Sequence, residues 1–536
     1  MRQQQSIYRA RTSAIAAAVV FVSVSAFGQT GQSQASSTAP AAVQGGDTLR
    51  RLTVDDAVKI ALEQNLGIQI QRVEPQIQDE SVAQARAAWL PNLTSSFNKN
   101  SNTFQSTNSL SGSSPTVNNA LFSGGAGINQ VLPWGGSYTA SWGSSHSTTT
   151  DLSRTFNPVL NSQLAANYTQ PLLRNFSIDN ARQTVLTAKK QRDISDVTLH
   201  ATIVQTSRNV KNADWDLVYQ IDNLKAAQQS LKDNTRRVEI GTMAPIDIVD
   251  AKAEVARNEE AVILAQEAIE AAQDNLKMLI FDPSTPGFWS MKIDPVDTVP
   301  FQAQKIDADA AVRNALDKRA DLRQAKLSIE QSDISIRYFR NQILPDINAL
   351  VNYQATGVGG VQLQSVNIFD PAALANRQIV AERSFSAALS DVVRSSYPFW
   401  SIGFQVNYPL GTSTSKANLE RAKLQYQQSQ TQLKSMQMQV AAQVRSVARQ
   451  VEANQKRVES ARASRELAEQ KLAAEEKKFA AGIRETFFVF QAQRDLATAR
   501  TAEVRAISDY NKSLVDFEAV QEIAVGGGGG QIVPVR

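Results

Sequence analysis

Cysteine is absent from the 536 residues, and histidine occurs only twice. Without cysteine the chain has no disulfide and no thiolate metal site, and two histidines leave little material for imidazole ligands. The net charge of +4 is small for this length, so it gives no reason to expect a nucleic-acid partner. Neither a phosphate-binding glycine loop nor a nucleophile–base pair is found. We therefore expect no enzyme activity, no catalytic residues, no cofactor and no metal.

Long apolar runs are also missing once the N-terminus is set aside. Residues 1–28 have the organisation of a secretory signal, with arginines ahead of an apolar run from Ala14 to Phe27 and a small residue at Gly28. After it, no run of about 18 apolar residues remains, so any membrane insertion must use strands. Residues 29–46 and the glycine-rich residues 523–536 are expected to be disordered.

The chain repeats itself. Residues 52–93 align without a gap to residues 306–347, with ten identities at a spacing of 254 residues. A second pair begins at Gly241 and Gly482, at a spacing of 241 residues. Matches in the same order at similar spacings indicate duplication. We expect a first repeat over residues 47–290, a linker over 291–305 and a second repeat over 306–522.

Each repeat is expected to contain helix, strands, a long helix, a turn and a further helix. The opening helix is predicted from Thr53, with Asp56 in a capping box, to the Leu90-Pro91 junction. The stretches 178–240 and 415–481 have no glycine or proline. At about 1.5 Å per residue they predict helices of roughly 90 to 100 Å. Their narrow apolar seams are typical of coiled-coil-like packing.

Strict alternation predicts membrane strands between the helices. Trp400, Ile402, Phe404, Val406 and Tyr408 lie on one face of a nine-residue segment, which is long enough to cross a bilayer when tilted and has aromatic residues at both ends. Shorter alternating segments begin near Leu93, Leu164 and Ile347. A further hairpin is predicted around 133–136, which either extends above the membrane or widens the barrel. Four membrane strands cannot close around a lumen, and an open edge is not tolerated in lipid, so several copies must share one barrel.

These residues resemble the TolC family of outer-membrane efflux proteins over nearly the whole chain after the signal. The resemblance depends on the opening LTVDDAVKIALEQN, the Leu-Pro junctions at Pro91 and Pro345, and the Pro-Leu junctions at Pro171 and Pro409. The glycine turn motifs at Gly241 and Gly482 complete it. Each motif is weak alone, but their order and duplication are specific.

The resemblance implies a mainly α-helical fold with membrane β-strands, in which a twice-repeated strand and long-helix unit forms a homotrimer. Its shared outer-membrane β-barrel would have twelve strands and continue as a periplasmic α-helical barrel. It also implies a periplasmic adaptor protein, an inner-membrane pump and outer-membrane lipid as partners, in a Gram-negative bacterium. The function implied is that of a passive exit duct for small molecules such as drugs and toxic compounds.

The periplasmic turns are where the resemblance implies adaptor contact and gating. The adaptor contact falls on Gly241, Thr242, Gly482 and Ile483, although these glycines also suit a tight turn without any partner. A gate is expected from an ion pair between Arg484 and Asp247, with Asp250 extending the acidic face. The second repeat departs from the family pattern because Phe487 and Phe488 stand where acidic residues are expected. These phenylalanines either form an apolar constriction or pack against neighbouring helices.

Two other functions remain open at this stage. One is a type I protein secretion channel, which the sequence does not distinguish from a drug or metal efflux channel. The other, more remote, is a periplasmic coiled-coil protein without a pore.

Overall fold

The computed structural model describes residues 49–106, 115–240, 245–296, 301–366, 373, 376–408, 410 and 413–522. The expected signal, leader and C-terminal tail lie outside these residues, as does most of the Pro409 junction.

The order of elements in the first half begins with a short strand and ends with two long helices. These are β1 (Leu49–Leu52), α1 (Val54–Gln64), α2 (Leu66–Arg86), β2 (Asn92–Gln105), β3 (Thr116–Val131), β4 (Ser137–Thr149), β5 (Phe156–Pro171), α3 (Asn180–Ile240) and α4 (Pro245–Ile280). The second half follows a similar plan. Its elements are β6 (Lys292–Pro295), α5 (Ala308–Lys318), α6 (Ala320–Gln342), β7 (Asp346–Leu363), β8 (Ile379–Arg383), α7 (Phe385–Val393), β9 (Pro398–Asn407), α8 (Thr414–Ala480) and α9 (Thr486–Val520).

The helices reproduce the spacings seen in the sequence. The starts of α1 and α5, Val54 and Ala308, are 254 residues apart, and the starts of α4 and α9, Pro245 and Thr486, are 241 residues apart. The long helices α3 and α8 contain 61 and 67 residues, as the glycine- and proline-free stretches predict. At about 1.5 Å per residue they measure roughly 90 and 100 Å.

The prediction of a single opening helix from Thr53 to Leu90 is wrong. Thr53 does cap α1, since its Oγ1 accepts the N–H of Asp56 at 3.1 Å, but the helix ends at Asn65. Asn65 is in an extended conformation, and its Oδ1 accepts the N–H of Ile68 at 3.0 Å, which starts α2. In the second half the same break lies at Arg319. There the first N–H of α6, at Ala320, donates to Glu522 at 2.8 Å.

A strand lies inside the segment predicted as a linker. β6 pairs in parallel with β1, from Leu49↔Lys292 to Leu52↔Pro295. Apolar side chains around this pair form a core that joins the start of the first repeat to α3 and the end of α4. Its buried members are Leu52, Ala57, Val58, Ala61, Val210, Ala213, Leu217, Leu276, Ile280, Phe281, Phe288, Met291 and Ile293.

The segment after β6 is fixed to α9 by Tyr510, which is 1% exposed. Its hydroxyl donates to the carbonyl of Gln302 at 2.9 Å and accepts the N–H of Gln304 at 3.1 Å. The Tyr510 ring also packs edge-on against Phe301, with centroids 5.1 Å apart. These contacts hold residues 301–304 along the helix.

One antiparallel sheet contains strands from both repeats, in the order β2-β3-β4-β5-β7, with β8 and β9 both paired to β7. The predicted hairpin around 133–136 is confirmed as the turn between β3 and β4. It lies in the sheet, so the described part of the chain has six long strands rather than the four that the family resemblance implies. β8 pairs only with the last residues of β7, and α7 separates it from β9.

Candidate functional site

The turn between α8 and α9 is the part of the predicted periplasmic end that the structure describes. Gly482 has φ of 72°, a left-handed conformation that glycine adopts without strain. The N–H of Ile483 donates to the carbonyl of Lys478 at 3.0 Å, and that of Gly482 donates to Phe479 at 2.9 Å. This is a Schellman motif, which satisfies the last carbonyls of α8. Ile483 is 75% exposed at the end of the helix pair.

Arg484 follows this turn and contacts two residues of its own repeat. Its Nε lies 3.6 Å from Oε2 of Glu475, on the last turns of α8. Its guanidinium carbon lies 4.1 Å from the centroid of the Phe488 ring on α9. The Lys478 ammonium, hydrogen-bonded to Glu475 at 2.8 Å, lowers the pKa of that carboxyl, and Arg484 adds to the effect. The result is a charged cluster that spans the turn.

The two phenylalanines singled out by sequence differ in their surroundings. Phe488 lies beneath the Arg484 guanidinium and is 38% exposed, whereas Phe487 is 55% exposed. Their rings meet edge-on, with centroids 5.6 Å apart. The next residues along α9, Val489 and Phe490, are buried and provide the packing. The start of α9 therefore carries an exposed aromatic pair, followed by a buried apolar pair.

The corresponding turn of the first repeat lies outside the described residues, and with it the predicted adaptor contacts Gly241 and Thr242. Asp247 and Asp250 are on α4, but their side chains are not among those described. The ion pair between Arg484 and Asp247 therefore stays a prediction. What the structure adds is that Arg484 has Glu475 and Phe488 as neighbours.

A link between the two repeats lies further from the turns and was missed by sequence reasoning. Glu254 on α4 is 7% exposed, and its Oε2 accepts from Arg257 at 2.9 Å. The same oxygen lies 3.8 Å from Nη1 of Arg494 on α9. Only the Arg257 contact has a local signal, at i,i+3, because Arg494 is 240 residues away in sequence.

Ion pairs also connect α8 and α9 along their length. Lys471 donates to Asp495 at 2.7 Å, and this hydrogen bond lowers the pKa of the Asp495 carboxyl. Nearer the middle, Nε of Arg465 lies 2.5 Å from Glu503. Because these pairs are partly exposed, each contributes little to stability.

The strands of the sheet come before the long helices α3 and α8 in each half of the chain. The strand register shows that the two faces of this sheet differ in chemistry. One row of directly paired residues forms the apolar face, and the adjacent row forms the polar face. The apolar row is Leu93, Ile128, Ala140, Ala166, Tyr353 and Trp400. The polar row is Asn92, Asn129, Thr139, Asn167, Asn352 and Ser401.

Both edge strands of the sheet expose apolar side chains. On β9, Trp400, Ile402, Phe404 and Val406 are 65–72% exposed, and Tyr408 follows the end of the strand at 47%. On β2, Leu93 and Phe97 are 76% and 78% exposed. Single exposed apolar residues are ordinary, but contiguous strips mark interaction surfaces, and both edges have that character.

Within the residues that the structure describes, no group of three or more His, Asp or Glu side chains is arranged to hold a metal ion. No helix in the described part of the chain has both the length and the apolar character needed to cross a bilayer.

The chain matches known proteins as follows. Residues 311–520 match the family model for outer membrane efflux proteins. No curated protein matches the chain. A structure of CusC, studied for folding and transmembrane channel formation, is 13% identical, covers 89% of this chain and 92% of its own, and has a TM-score of 0.62.

Two further structures are similar to the same extent. The Campylobacter jejuni outer membrane channel CmeC is 13% identical, with coverage of 88% and 85% and a TM-score of 0.59. The Vibrio cholerae outer membrane protein VceC is 16% identical, with coverage of 88% and 96% and a TM-score of 0.58. At such identities these structures share the fold. The family match adds that the second repeat, over residues 311–520, is similar in sequence to outer membrane efflux proteins.

Proposed function

We propose that the chain is one subunit of a trimeric, passive exit duct in the outer membrane of a Gram-negative bacterium. The observation that carries the proposal is the amphipathic sheet with two unpaired edges. At the end of the sheet nearest the long helices, one face carries an apolar residue on every long strand, and the neighbouring row is polar. Lipid on the apolar side and water on the polar side is the arrangement of a membrane strand.

The open edges call for further copies of the chain. β2 forms one edge of the sheet, and β9 with the short strand β8 forms the other. An unpaired strand edge in hydrocarbon leaves several backbone groups without a hydrogen-bond partner. Pairing β2 of one copy with β9 of the next satisfies both edges and places the exposed Phe97 and Trp400 on the same outer surface. Three copies agree with the organisation implied by the family resemblance.

The helices would continue the duct into the periplasm. α3 and α8 are long enough to extend roughly 90 to 100 Å from the sheet. At their far end the exposed Ile483 beside Gly482 offers an apolar contact for an adaptor protein, together with Gly241 and Thr242. The energy for transport would come from an inner-membrane pump, because the duct itself has no chemistry to supply it.

Gating is proposed at the same end. Arg484, Phe487 and Phe488 would close the aperture together with Asp247 and Asp250, and adaptor binding would open it. The contacts of Arg484 with Glu475 and Phe488 support a closed arrangement in which the start of α9 is held against the end of α8. Small molecules, such as drugs and toxic compounds, are the proposed cargo.

The experiment that tests the duct is reconstitution. The mature chain, purified in detergent, should have the mass of a trimer by native mass spectrometry and should produce discrete conductance steps in planar bilayers. A monomer that remains soluble without detergent and gives no conductance would favour the coiled-coil alternative. Loss of small-molecule resistance, but not of protein export, in a deletion strain would separate drug efflux from type I secretion.

A further inference from the structure

The β3–β4 hairpin is an integral part of the sheet. β2 pairs with β3 over 14 residues, β3 with β4 over 13 and β4 with β5 over 11, each without a break in register. In the described part of the sheet, β2 is joined to β5 only through this hairpin. β3 and β4 contain 16 and 13 residues, more than the roughly 9 to 11 that a tilted strand needs to cross a bilayer.

The hairpin also has the two-faced chemistry of its neighbours. On β4, Tyr138, Ala140 and Trp142 belong to the apolar face, and Thr139 and Ser141 to the polar face. The indole N–H of Trp142 has a hydrogen-bond partner on the apolar face, because Nε1 donates to the Ser162 hydroxyl at 3.0 Å. A hairpin standing in water beyond the membrane would have no reason to maintain this alternation in phase with β5.

The turn of the hairpin reaches the end of the sheet at which the long helix begins. Gly135, with φ of 95°, lies so close to the start of α3 that a Cβ there would be 2.7 Å from both Arg182 Nη2 and the Asn175 carbonyl. Trp134 Nε1 lies 3.4 Å from the Tyr168 hydroxyl on β5. The hairpin therefore extends as far towards the helices as β5 does.

Close glycine contacts fix the hairpin to the strands on both sides. A Cβ at Gly124 on β3 would be 2.8 Å from the Phe97 ring on β2. A Cβ at Gly125 would be 2.8 Å from the Trp142 carbonyl on β4. An aromatic ring over a strand glycine is a known device for fixing register. The pairing is therefore specified by side chains as well as by the backbone ladder.

We infer that the closed barrel of the trimer has eighteen strands, six from each copy, and that β3 and β4 are membrane-spanning strands of this barrel. This inference depends on the trimeric duct proposed above. At about 4.8 Å between strands and a tilt of about 40°, eighteen strands close at a backbone diameter of ~36 Å, against ~24 Å for twelve. The cross-section is then about twofold larger than that of a barrel without the hairpin.

The part of the barrel wall that β3 and β4 would form is uncharged on its polar face and is lined by small residues. Its polar face carries Ser123, Gly125 and Gly127 on β3, with Ser141 and Ser145 on β4. Small uncharged side chains leave the widened lumen open to water. The outer vestibule would accordingly admit bulky, hydrated solutes with little selection by charge, and any selection would occur at the helix ends.

Electron cryomicroscopy of the full chain, solubilised as the assembled particle, tests the inference directly. We expect three copies and eighteen strands. A trimer with twelve strands and the hairpin lying outside the barrel would overturn the inference and leave the proposed duct standing. Failure to form any trimeric channel would instead overturn the proposed function itself.

Cysteine labelling tests whether β4 spans the membrane. Because the chain has no native cysteine, only the introduced thiol reacts with the label. Thr139→Cys and Ser141→Cys should react with a water-soluble maleimide in intact outer membranes, and Ala140→Cys should be at least tenfold slower. Gln405→Cys and Phe404→Cys on β9 are the matched control pair. Equal reactivity of the three β4 positions, with alternation kept on β9, would show that the hairpin lies in water.

A chain that lacks the β3–β4 hairpin tests how much the hairpin contributes to the width of the barrel. Removal of residues 107–152 joins Ser106 to Ser153 and leaves β2 to pair with β5. We expect twelve strands and a smaller limit on the neutral polyethylene glycol that enters from the extracellular side, matching a cross-section about half as large. An unchanged limit would contradict the inference. If the shortened chain does not assemble, the labelling of the full chain still decides whether the hairpin spans the membrane.

Discussion

The guanidinium carbon of Arg484 lies 4.1 Å from the centroid of the Phe488 ring, four residues along the chain. α9 begins between the two residues, and Arg484 also contacts Glu475 of α8, with Nε 3.6 Å from Oε2. One side chain therefore joins the end of the helix before the Gly482 turn to the start of the helix after it. The proposed gate depends on this junction.

Arg484→Ala should loosen the turn and raise the conductance of the closed channel in planar bilayers. The substitution removes a cation–π contact worth about 0.5–1 kcal/mol per protomer, as well as the ionic contact with Glu475. Arg484→Lys keeps the charge but not the planar stacking, so its conductance should lie between those of the wild type and Arg484→Ala. If Arg484→Ala closes as the wild type does, Arg484 has no part in the gate.

Closure should depend on pH in a definite direction. The pKa of Glu475 is lowered from its ordinary value of 4.5 by Lys478, with Arg484 contributing. A carboxyl whose pKa is lowered in the folded state stabilises that state above its ordinary pKa, and the contribution is lost as pH falls through the lowered value. We expect constant closure from pH 8 to 5 and increased opening below about 4.5.

Glu475→Gln is the control for this pH dependence. It should open more readily at pH 7 and lose the acid-induced part of the change. A variant with the same acid response as the wild type would assign the response to other carboxyls, with Asp495 the first candidate, because Lys471 also lowers its pKa.

The contact between Glu254 of α4 and Arg494 of α9, which links the two repeats, should contribute to the stability of the protein as well as to gating. Glu254→Ala leaves Arg257 and Arg494 without their shared carboxylate and should cost about 1–3 kcal/mol, measured as a lower thermal unfolding midpoint of the trimer. A double-mutant cycle with Arg494→Ala isolates the contact between α4 and α9. Strictly additive effects would mean that the 3.8 Å approach carries no energy.

The two faces of β9 should tolerate charge differently. Ile402→Arg places a cation on the apolar face and should cost about 2–4 kcal/mol if that face meets the middle of the bilayer. Gln405→Arg introduces the same side chain on the polar face of the same strand and should assemble normally. The amounts of each variant in heat-resistant trimers compare the two, and equal yields would argue against lipid on the Ile402 side.

Strand pairing within the hairpin can be tested with one substitution at two glycines. Gly125→Val should prevent assembly because its Cβ would stand 2.8 Å from the Trp142 carbonyl, a backbone atom that cannot move without breaking the ladder. Gly143→Val should be tolerated because a Cβ there meets nothing within 4 Å. Trimer yield in detergent is the measurement. Equal yields would show that β3 and β4 are not held in this register.

Several features were predictable from the sequence because their causes are local or periodic. The Thr53 cap, the long helices between fixed glycine-free bounds and the alternation that defines β9 all follow from neighbouring residues. The hairpin turn around Gly135 also has a local signal. Its place in the sheet does not, since pairing with both β2 and β5 depends on contacts such as Phe97 over Gly124, which join separate strands.

The sequence by itself determined the duplication, the helix and strand types and the resemblance to outer membrane efflux proteins, because periodicity and repeated motifs can be read from one chain. Only the tertiary structure decided the partners of single side chains. Glu522 caps α6 at Ala320 from 202 residues away, and Glu254 approaches Arg494 from another helix. Such pairs arise where helices happen to pack, and packing brings together residues whose sequence separation carries no information about their distance.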